Sequence, residues 1–268
     1  MFDEVGNAPV SAIEIPTAPR RPGEGVRLFG FTVGHVHMPL SFFLEGESGE
    51  ISAPVTAFLI DHPRGLALFD TGLGQRFVRP AGTERESFID IEQGHKMVER
   101  VRAIGVDPAN IRWIIASHLH ADHAGGNADF PNATVIVNEA EPDFARAQAD
   151  GALYCLEEFD TGQPFLQLHG EHDLFGDGTV LIFPTPGHTP GHQSARVKTD
   201  GGDIVLTGDC CNLRRSLDEF RLPDHCHNAD QSLASLKLLA NIEKKGARIF
   251  PSHDPDFWSG IPKGSPIP

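Results

Sequence analysis

Short apolar segments separated by polar, glycine-containing loops run along most of the chain and predict a sheet-rich α/β fold. Strand-like patterning covers residues 26–33, 54–61, 65–70, 111–116, 133–137, 179–183, 194–198, 203–207 and 247–250. Apolar residues at helical spacing predict helices over 88–104, 139–150 and 232–242. Residues 151–177 show no clear period. The first 25 residues contain four prolines, which predicts an N-terminal arm over 1–25 and a single domain over 26–268.

A dense polar cluster follows the apolar segment 111–116. Within six positions the chain carries His118, His120, Asp122 and His123. Imidazole and carboxylate groups are ligands for zinc, iron and similar divalent ions. Because open α/β sheets usually bind ligands at the carboxyl ends of their strands, we interpret this cluster as a metal site and not as a solvated loop.

Three further ligand-type residues, His188, Asp209 and His253, each follow a predicted strand. The seven side chains exceed the needs of one tetrahedral ion, which favours two ions that share a carboxylate and an intervening water or hydroxide. Asp70, at the end of segment 65–70, either fixes a metal-bound imidazole or caps a turn. Among the other histidines, we expect His192 to support its loop and His225 and His227 to lie on the surface.

Charge and cysteine content narrow the possible partners and the compartment. The net charge of −15 disfavours nucleic acid and anionic membranes as partners, and no apolar run is long enough to span a bilayer. The four cysteines form no C-x-x-C pair and are typical of free thiols in a reducing compartment, which predicts a cytoplasmic protein. A small-molecule substrate is therefore expected, and the proline-rich arm and apolar loops are consistent with a homodimer.

A two-ion site of this composition predicts hydrolysis. Coordination lowers the pKa of bound water to about 7, so that a hydroxide held between two ions is a strong nucleophile near neutral pH. The leaving group needs a proton, and Asp122 is placed to supply it if its carboxylate both touches a metal and shuttles the proton. The residues predict this reaction type, but by themselves they leave the substrate open.

The motif H-x-H-x-D-H, the glycine-flanked His188, the strand-end Asp209 and the late His253 resemble, in this order, the metallo-β-lactamase superfamily. The resemblance covers Val26 to Trp258 and implies a four-layer αββα sandwich with the site at one edge of two sheets. It implies that one ion is bound by His118, His120 and His188, that the other is bound by Asp122, His123 and His253, and that Asp209 bridges them. Zinc is the expected metal, with iron, manganese and cobalt as alternatives.

Within that superfamily, the segments LFDTG, SHLHADHAGGN, PTPGHTPGHQS and SHDPDFW resemble the N-acyl homoserine lactonase group. This resemblance implies opening of a lactone ring, and thus quorum quenching, by a metal-bridging hydroxide, with Asp122 protonating the leaving alkoxide. Many such lactonases carry a tyrosine three positions after the bridging aspartate, whereas this chain has Asn212, which could donate a hydrogen bond to the substrate instead. A different lactone, ester or phosphodiester therefore remains an alternative substrate. Four phenylalanines could line an acyl-chain cavity or belong to the core: Phe42, Phe43, Phe159 and Phe165.

Overall fold

A computed structural model describes residues 25–85, 87–149 and 153–268, so the predicted arm over 1–25 lies outside the described residues apart from Gly25. The strands are β1 Arg27–Pro39, β2 Glu50–His62, β3 Gly65–Phe69, β4 Val78–Arg79, β5 Ile89–Glu92, β6 Ile111–Ile115, β7 Thr134–Asn138, β8 Phe165–Leu168, β9 His172–Asp173, β10 Val180–Pro184, β11 Gln193–Thr199, β12 Gly202–Leu206 and β13 Arg248–Phe250. The α-helices are α1 Met97–Ala103, α2 Ala121–Ala124, α3 Glu141–Gln148, α4 Leu156–Phe159, α5 Arg214–Glu219, α6 Ala229–Glu243 and α7 Pro255–Ser259.

The strands form two sheets. The larger has the order β4-β5-β1-β2-β3-β6-β7-β8 and the smaller the order β13-β12-β11-β10-β9. Strands β1, β2 and β3 pair antiparallel, whereas β3, β6, β7 and β8 run parallel. In the smaller sheet β12 and β13 are parallel and the other pairs are antiparallel. The apolar run of β6 is therefore explained by its central place in a sheet that is covered on both faces.

The two sheets pack face to face, and helices cover their outer faces. Apolar side chains of both sheets interdigitate between them: Phe58, Phe69, Ile115, Ile182, Val197 and Leu206. On the outer side of the larger sheet, Val98 and Val101 of α1 pack against the core. On the outer side of the smaller sheet, Leu236 and Leu239 of α6 pack on Val205. The predicted four-layer αββα sandwich is thus confirmed.

The predicted helix over 88–104 is wrong in its first half. Residues Ile89–Glu92 form β5, which pairs antiparallel with His35 and Val36 of β1, and the helix is confined to Met97–Ala103. Ile89 and Ile91 are buried two residues apart, a strand period that adjoins the helical period of the next segment. The stretch 151–177, which showed no period, contains α4, β8 and β9 in its described part.

The topology brings five strand ends to one edge of the sandwich. Strands β10, β12 and β13 point in the same direction within the smaller sheet, as do β3 and β6 within the larger. A backbone hydrogen bond of 2.9 Å from the Gln193 amide to the Ser117 carbonyl joins the two sheets at this edge. Over the described ranges, no helix has the length and apolar character that crossing a bilayer requires.

Candidate metal centre

The loops that follow these strand ends bring all seven ligand-type side chains together. Two groups form, and within each group the potential ligand atoms lie within 4.8 Å of one another. The first group is His118, His120, His188 and Asp209, and the second is Asp122, His123 and His253. The structure therefore assembles residues that are separated by up to 135 positions of the chain, from His118 to His253.

In the first group three imidazole nitrogens face one another. His118 Nε2 lies 2.8 Å from His120 Nδ1, and His188 Nε2 lies 3.2 Å from the same atom. Burial disfavours the charged form, so the pKa values of His118 and His120 fall well below the ordinary value and that of His188 falls to about 4. The three rings are therefore neutral at pH 7, which is the protonation state in which imidazole binds a metal.

The second group surrounds one oxygen of Asp209. His123 Nε2 and His253 Nε2 each lie 3.1 Å from Asp209 Oδ1, while Asp209 Oδ2 faces His188 Nε2 at 3.4 Å. Burial opposes the charged form of His123, but the carboxylates of Asp209 and Asp122 outweigh it and raise the pKa of His123 well above its usual value. Asp209 thus directs one oxygen to each group, as a carboxylate shared by two sites must do.

Contacts behind the rings fix which nitrogen points inward. The Nδ1 atom of His123 lies 2.8 Å from Asp70 Oδ2, and that of His253 lies 2.9 Å from the Pro54 carbonyl oxygen. His118 Nδ1 is 3.0 Å from Ser117 Oγ, which donates to Asp70 Oδ2 at 2.9 Å. With Nδ1 engaged in this way, the Nε2 atoms of all three rings face the cluster, an arrangement common behind metal-binding histidines.

Besides Asp70, a further carboxylate supports the ligand-bearing loops, namely Glu141, which the sequence did not predict. Glu141 is fully buried at the start of α3 and accepts hydrogen bonds from two of the ligand-bearing loops, those that follow β6 and β10. These come from the Leu119 amide at 3.1 Å, the Gly191 amide at 3.2 Å and the Thr189 hydroxyl at 2.6 Å. Nothing in the spacing of Glu141 distinguishes it from a solvated glutamate, because its partners lie on other parts of the chain.

The chemistry of this donor set fits two divalent ions. Five imidazoles and two carboxylates direct nitrogen and oxygen atoms into one buried volume, where the ligand-type atoms of each group lie within 4.8 Å of one another. Burying so many electron-pair donors is unfavourable unless cations lie between them. Mixed nitrogen and oxygen ligands of this kind accept zinc, iron, manganese or cobalt.

A cavity borders the cluster on its exposed side. Its lining comprises Val36, Phe42, Phe43, Phe88, Ile89, His120, Asp122, Leu153, His188, Asp209, Asn212, His225 and His253. The structure therefore brings Phe42, Phe43 and Asn212 to the cavity. His225, which was expected on the surface, is partly exposed, with 34% of its side chain accessible, and it also lines the cavity.

Phe159 and Phe165 do not belong to that lining, so the expectation that they contact the substrate is wrong and the alternative, a place in the core, holds. Phe159 is 1% exposed in the core on the outer side of the larger sheet, where Phe165 of β8 packs against the same cluster. Phe159 lies on α4 and Phe165 on the edge strand β8 of the larger sheet, and both rings complete the core on that side. His192 is buried with Nδ1 3.1 Å from the Thr185 carbonyl oxygen, within the loop it was expected to support, whereas His227 is exposed.

Comparison with known proteins identifies the class of protein that this fold and cluster represent. The model of the metallo-β-lactamase superfamily matches residues 53–253, and the chain belongs to that superfamily. The chain is a hydrolase of this superfamily, as the sequence predicted.

Among individual relatives, the chain is 31% identical over 233 residues to the N-acyl homoserine lactonase AttM of Azorhizobium caulinodans, covering 82% of this chain and 89% of AttM. It is 30% identical over 215 residues to the N-acyl homoserine lactonase AiiA of Bacillus thuringiensis subsp. kurstaki, covering 76% and 82%. A solved N-acyl homoserine lactone hydrolase, with N-hexanoyl-L-homoserine bound at its catalytic metal centre, superposes with a TM-score of 0.80 at 27% identity. That superposition covers 91% of this chain and 100% of the other.

Proposed function

We propose that this protein is a dinuclear metal-dependent lactonase that opens the ring of N-acyl homoserine lactones and so quenches quorum sensing. The observation that carries the proposal is the position of Asp209, with one oxygen toward His188 and the other toward His123 and His253, beside a cavity with apolar walls. The activities named for AttM and AiiA support the same substrate.

Three histidines, His118, His120 and His188, would hold one ion, and Asp122, His123 and His253 the other, with Asp209 shared. When bound, divalent ions there would supply an activated water near neutral pH and Lewis acidity toward a carbonyl oxygen. We propose zinc as the ion, with iron, manganese and cobalt as the alternatives that elemental analysis distinguishes.

Asp122 would move the proton. Its carboxylate lines the cavity and is 8% exposed, with Oδ2 3.5 Å from His123 Nε2 and 3.7 Å from His253 Nε2. A carboxyl group at the boundary of cluster and cavity can touch both the nucleophile and the substrate. Asp122 would accordingly take the proton released by the nucleophile and deliver it from a carboxyl oxygen to the departing ring oxygen.

Asn212 and the phenylalanines would hold the substrate. Asn212 Oδ1 lies 3.4 Å from Ser252 Oγ, which favours presentation of its NH2 group to a substrate carbonyl at the position where the tyrosine was expected. The acyl chain would lie against the apolar side of the lining, made of Val36, Phe42, Phe43, Phe88, Ile89 and Leu153. The single domain over 26–268, the homodimer, the cytoplasmic location and the absence of nucleic-acid partners stay predictions.

A panel of N-acyl homoserine lactones of increasing chain length tests the proposal directly. Acid release is measured on the metal-loaded protein by pH-stat, and we expect turnover that varies with acyl length because the chain contacts apolar walls. Failure to release acid from every member of the panel removes the proposal.

The second candidate is the same site acting on a different lactone, ester or phosphodiester. The specific observation in its favour is Asn212 in place of the tyrosine, which changes the group that meets the substrate carbonyl. The same preparation is therefore assayed on aliphatic lactones, thioesters and phosphodiesters. A higher kcat/KM for one of these classes than for the acyl homoserine lactones selects the second candidate.

A further inference from the structure

Two polar side chains in the cavity lining are not part of the seven-residue cluster, namely Asn212 and His225. Asn212 carries an amide that can donate to a carbonyl oxygen. His225 belongs to the segment between α5 and α6, and its ring centroid lies 6.2 Å from that of His188. The role of His225 is not accounted for by metal binding or by proton transfer from Asp122.

The His225 ring is held in place from two sides. Its face lies against Phe42, with ring centroids 3.9 Å apart and planes inclined by 34°. On its edge, Nδ1 lies 3.0 Å from Asp224 Oδ1. Asp224 is itself anchored to Ser41, whose hydroxyl donates to Asp224 Oδ2 at 3.3 Å and whose carbonyl accepts from the Asp224 amide at 3.3 Å.

The segment that carries His225 is tied to the rest of the site at both ends. The Glu45 amide donates to the Leu222 carbonyl at 2.8 Å, and the His227 amide donates to the His188 carbonyl at 3.2 Å. The second of these bonds joins the segment directly to a residue of the metal cluster. The position of the His225 ring is therefore fixed relative to the cluster and does not depend on the side chain alone.

These contacts set the tautomer of His225. A carboxylate can only accept, so the Nδ1 atom next to Asp224 carries the proton, and the neutral ring keeps a lone pair on Nε2. Among the residues that the structure describes, the side-chain hydrogen bond of His225 is the one that Nδ1 makes with Asp224. The cavity lining thus contains an acceptor on His225 and a donor group on Asn212.

The chemistry of the proposed substrate contains a single matching group. In an N-acyl homoserine lactone with an unsubstituted acyl chain, such as the N-hexanoyl compound, every polar atom is an acceptor except the exocyclic amide N–H. That amide is attached to the carbon next to the scissile carbonyl, so the group that binds it must lie close to the metal cluster, as His225 does beside His188.

We propose that His225 is a specificity-determining residue whose Nε2 accepts a hydrogen bond from the exocyclic amide N–H of the substrate, an inference that rests on the proposed function. Asp224 and Phe42 act as positioning residues for this ring. Substrates that contain the amide are thereby favoured over alkyl lactones of the same ring size that lack it. A bound alkyl lactone would cover the Nε2 acceptor without offering it a donor, and this unpaired acceptor is the physical cost that discriminates against the alkyl lactones.

The experiment compares two substrates, N-hexanoyl homoserine lactone and γ-decalactone, in metal-loaded wild type and variants. His225→Phe keeps an aromatic ring on Phe42 but removes Nε2. We therefore expect kcat/KM for N-hexanoyl homoserine lactone, divided by kcat/KM for γ-decalactone, to fall about tenfold, the effect of one lost hydrogen bond. The loss appears mainly in KM for the amide substrate. His225→Gln, whose side-chain oxygen can accept, recovers part of the ratio, and Asp224→Ala lowers it less than His225→Phe.

His227→Phe is the matched control, because His227 is an exposed histidine two positions away and should leave the ratio unchanged. Melting temperature and metal content show that each variant is folded and loaded. An unchanged ratio in His225→Phe, whether or not activity falls equally on both substrates, overturns this inference and leaves the proposed function standing. A wild type that opens γ-decalactone but not N-hexanoyl homoserine lactone overturns the proposed substrate and this inference with it.

Discussion

The metal cluster and the mouth of the cavity are built in different ways. In the cluster, imidazoles that follow strand ends are held from behind by buried groups such as Asp70 and the Pro54 carbonyl. At the mouth, Phe42 and His225 come from loops, Phe88 is 43% exposed, and the tie between Ser41 and Asp224 is exposed to solvent. The difference implies that the sheets fix the chemistry, whereas substrate selection depends on loops that can change without disturbing it.

The largest effect is expected inside the cluster, from Asp122→Asn. The amide can still occupy the site but cannot supply a proton, so we expect most metal to be retained and turnover to fall about 10²–10⁴-fold. Acid release and elemental analysis on one preparation measure both quantities. Asp143→Asn, on an aspartate whose side chain is 97% exposed, serves as the control. Full activity in Asp122→Asn would contradict a proton-transfer role.

The support behind the rings is tested by Asp70→Asn. Asp70 Oδ2 accepts from His123 Nδ1, and its other oxygen accepts from the Ser117 amide at 2.7 Å, so an amide there disturbs the orientation of His123. We expect metal affinity to fall about 10–100-fold, measured by competition with a chelator. Asp61→Asn, in an ion pair with Arg27 at the far end of β2, is the matched variant. Equal affinity in wild type and Asp70→Asn would show that the contact is only structural.

The sequence predicts the metal cluster well and the mouth of the cavity poorly. The cluster could be predicted because His118, Asp209 and His253 are ligand types placed at the ends of apolar runs. The mouth could not, because Phe42 and Phe159 look alike in sequence and only packing sends one to the cavity and the other to the core. His225 forms an H-x-H pair with His227, but this spacing does not predict the contact of His225 with Phe42, which depends on the fold of two loops.

The smallest effect concerns a buried carboxyl group outside both regions, on α4. Glu158 is 7% exposed, and neither carboxylate oxygen has a hydrogen-bond partner in the described residues. Burial raises its pKa to about 7. The folded-state pKa of Glu158 lies above the unfolded value of 4.5. The contribution of the neutral carboxyl group to the free energy of unfolding is therefore fully present below pH 4.5 and is lost as pH rises through 7.

Glu158→Gln removes this titration. We expect the variant and wild type to differ little at pH 5, and the variant to be more stable by about 1–2 kcal/mol at pH 8, after allowance for solvent screening. Urea unfolding at the two pH values measures the difference in the free energy of unfolding. Glu157→Gln, at a side chain that is 82% exposed, should show no such pH dependence. A constant difference between Glu158→Gln and wild type across this range would contradict the shifted pKa.

The most direct measurement of the central claim is the number of metal ions that one chain binds. Protein stripped with a chelator is titrated with Zn²⁺, and bound metal is determined by elemental analysis for wild type and for His253→Ala. Two ions per wild-type chain, with the second weakened selectively in His253→Ala, are the predicted result. A wild-type chain that holds no more than one ion would contradict the two-ion site and the hydrolytic function built on it.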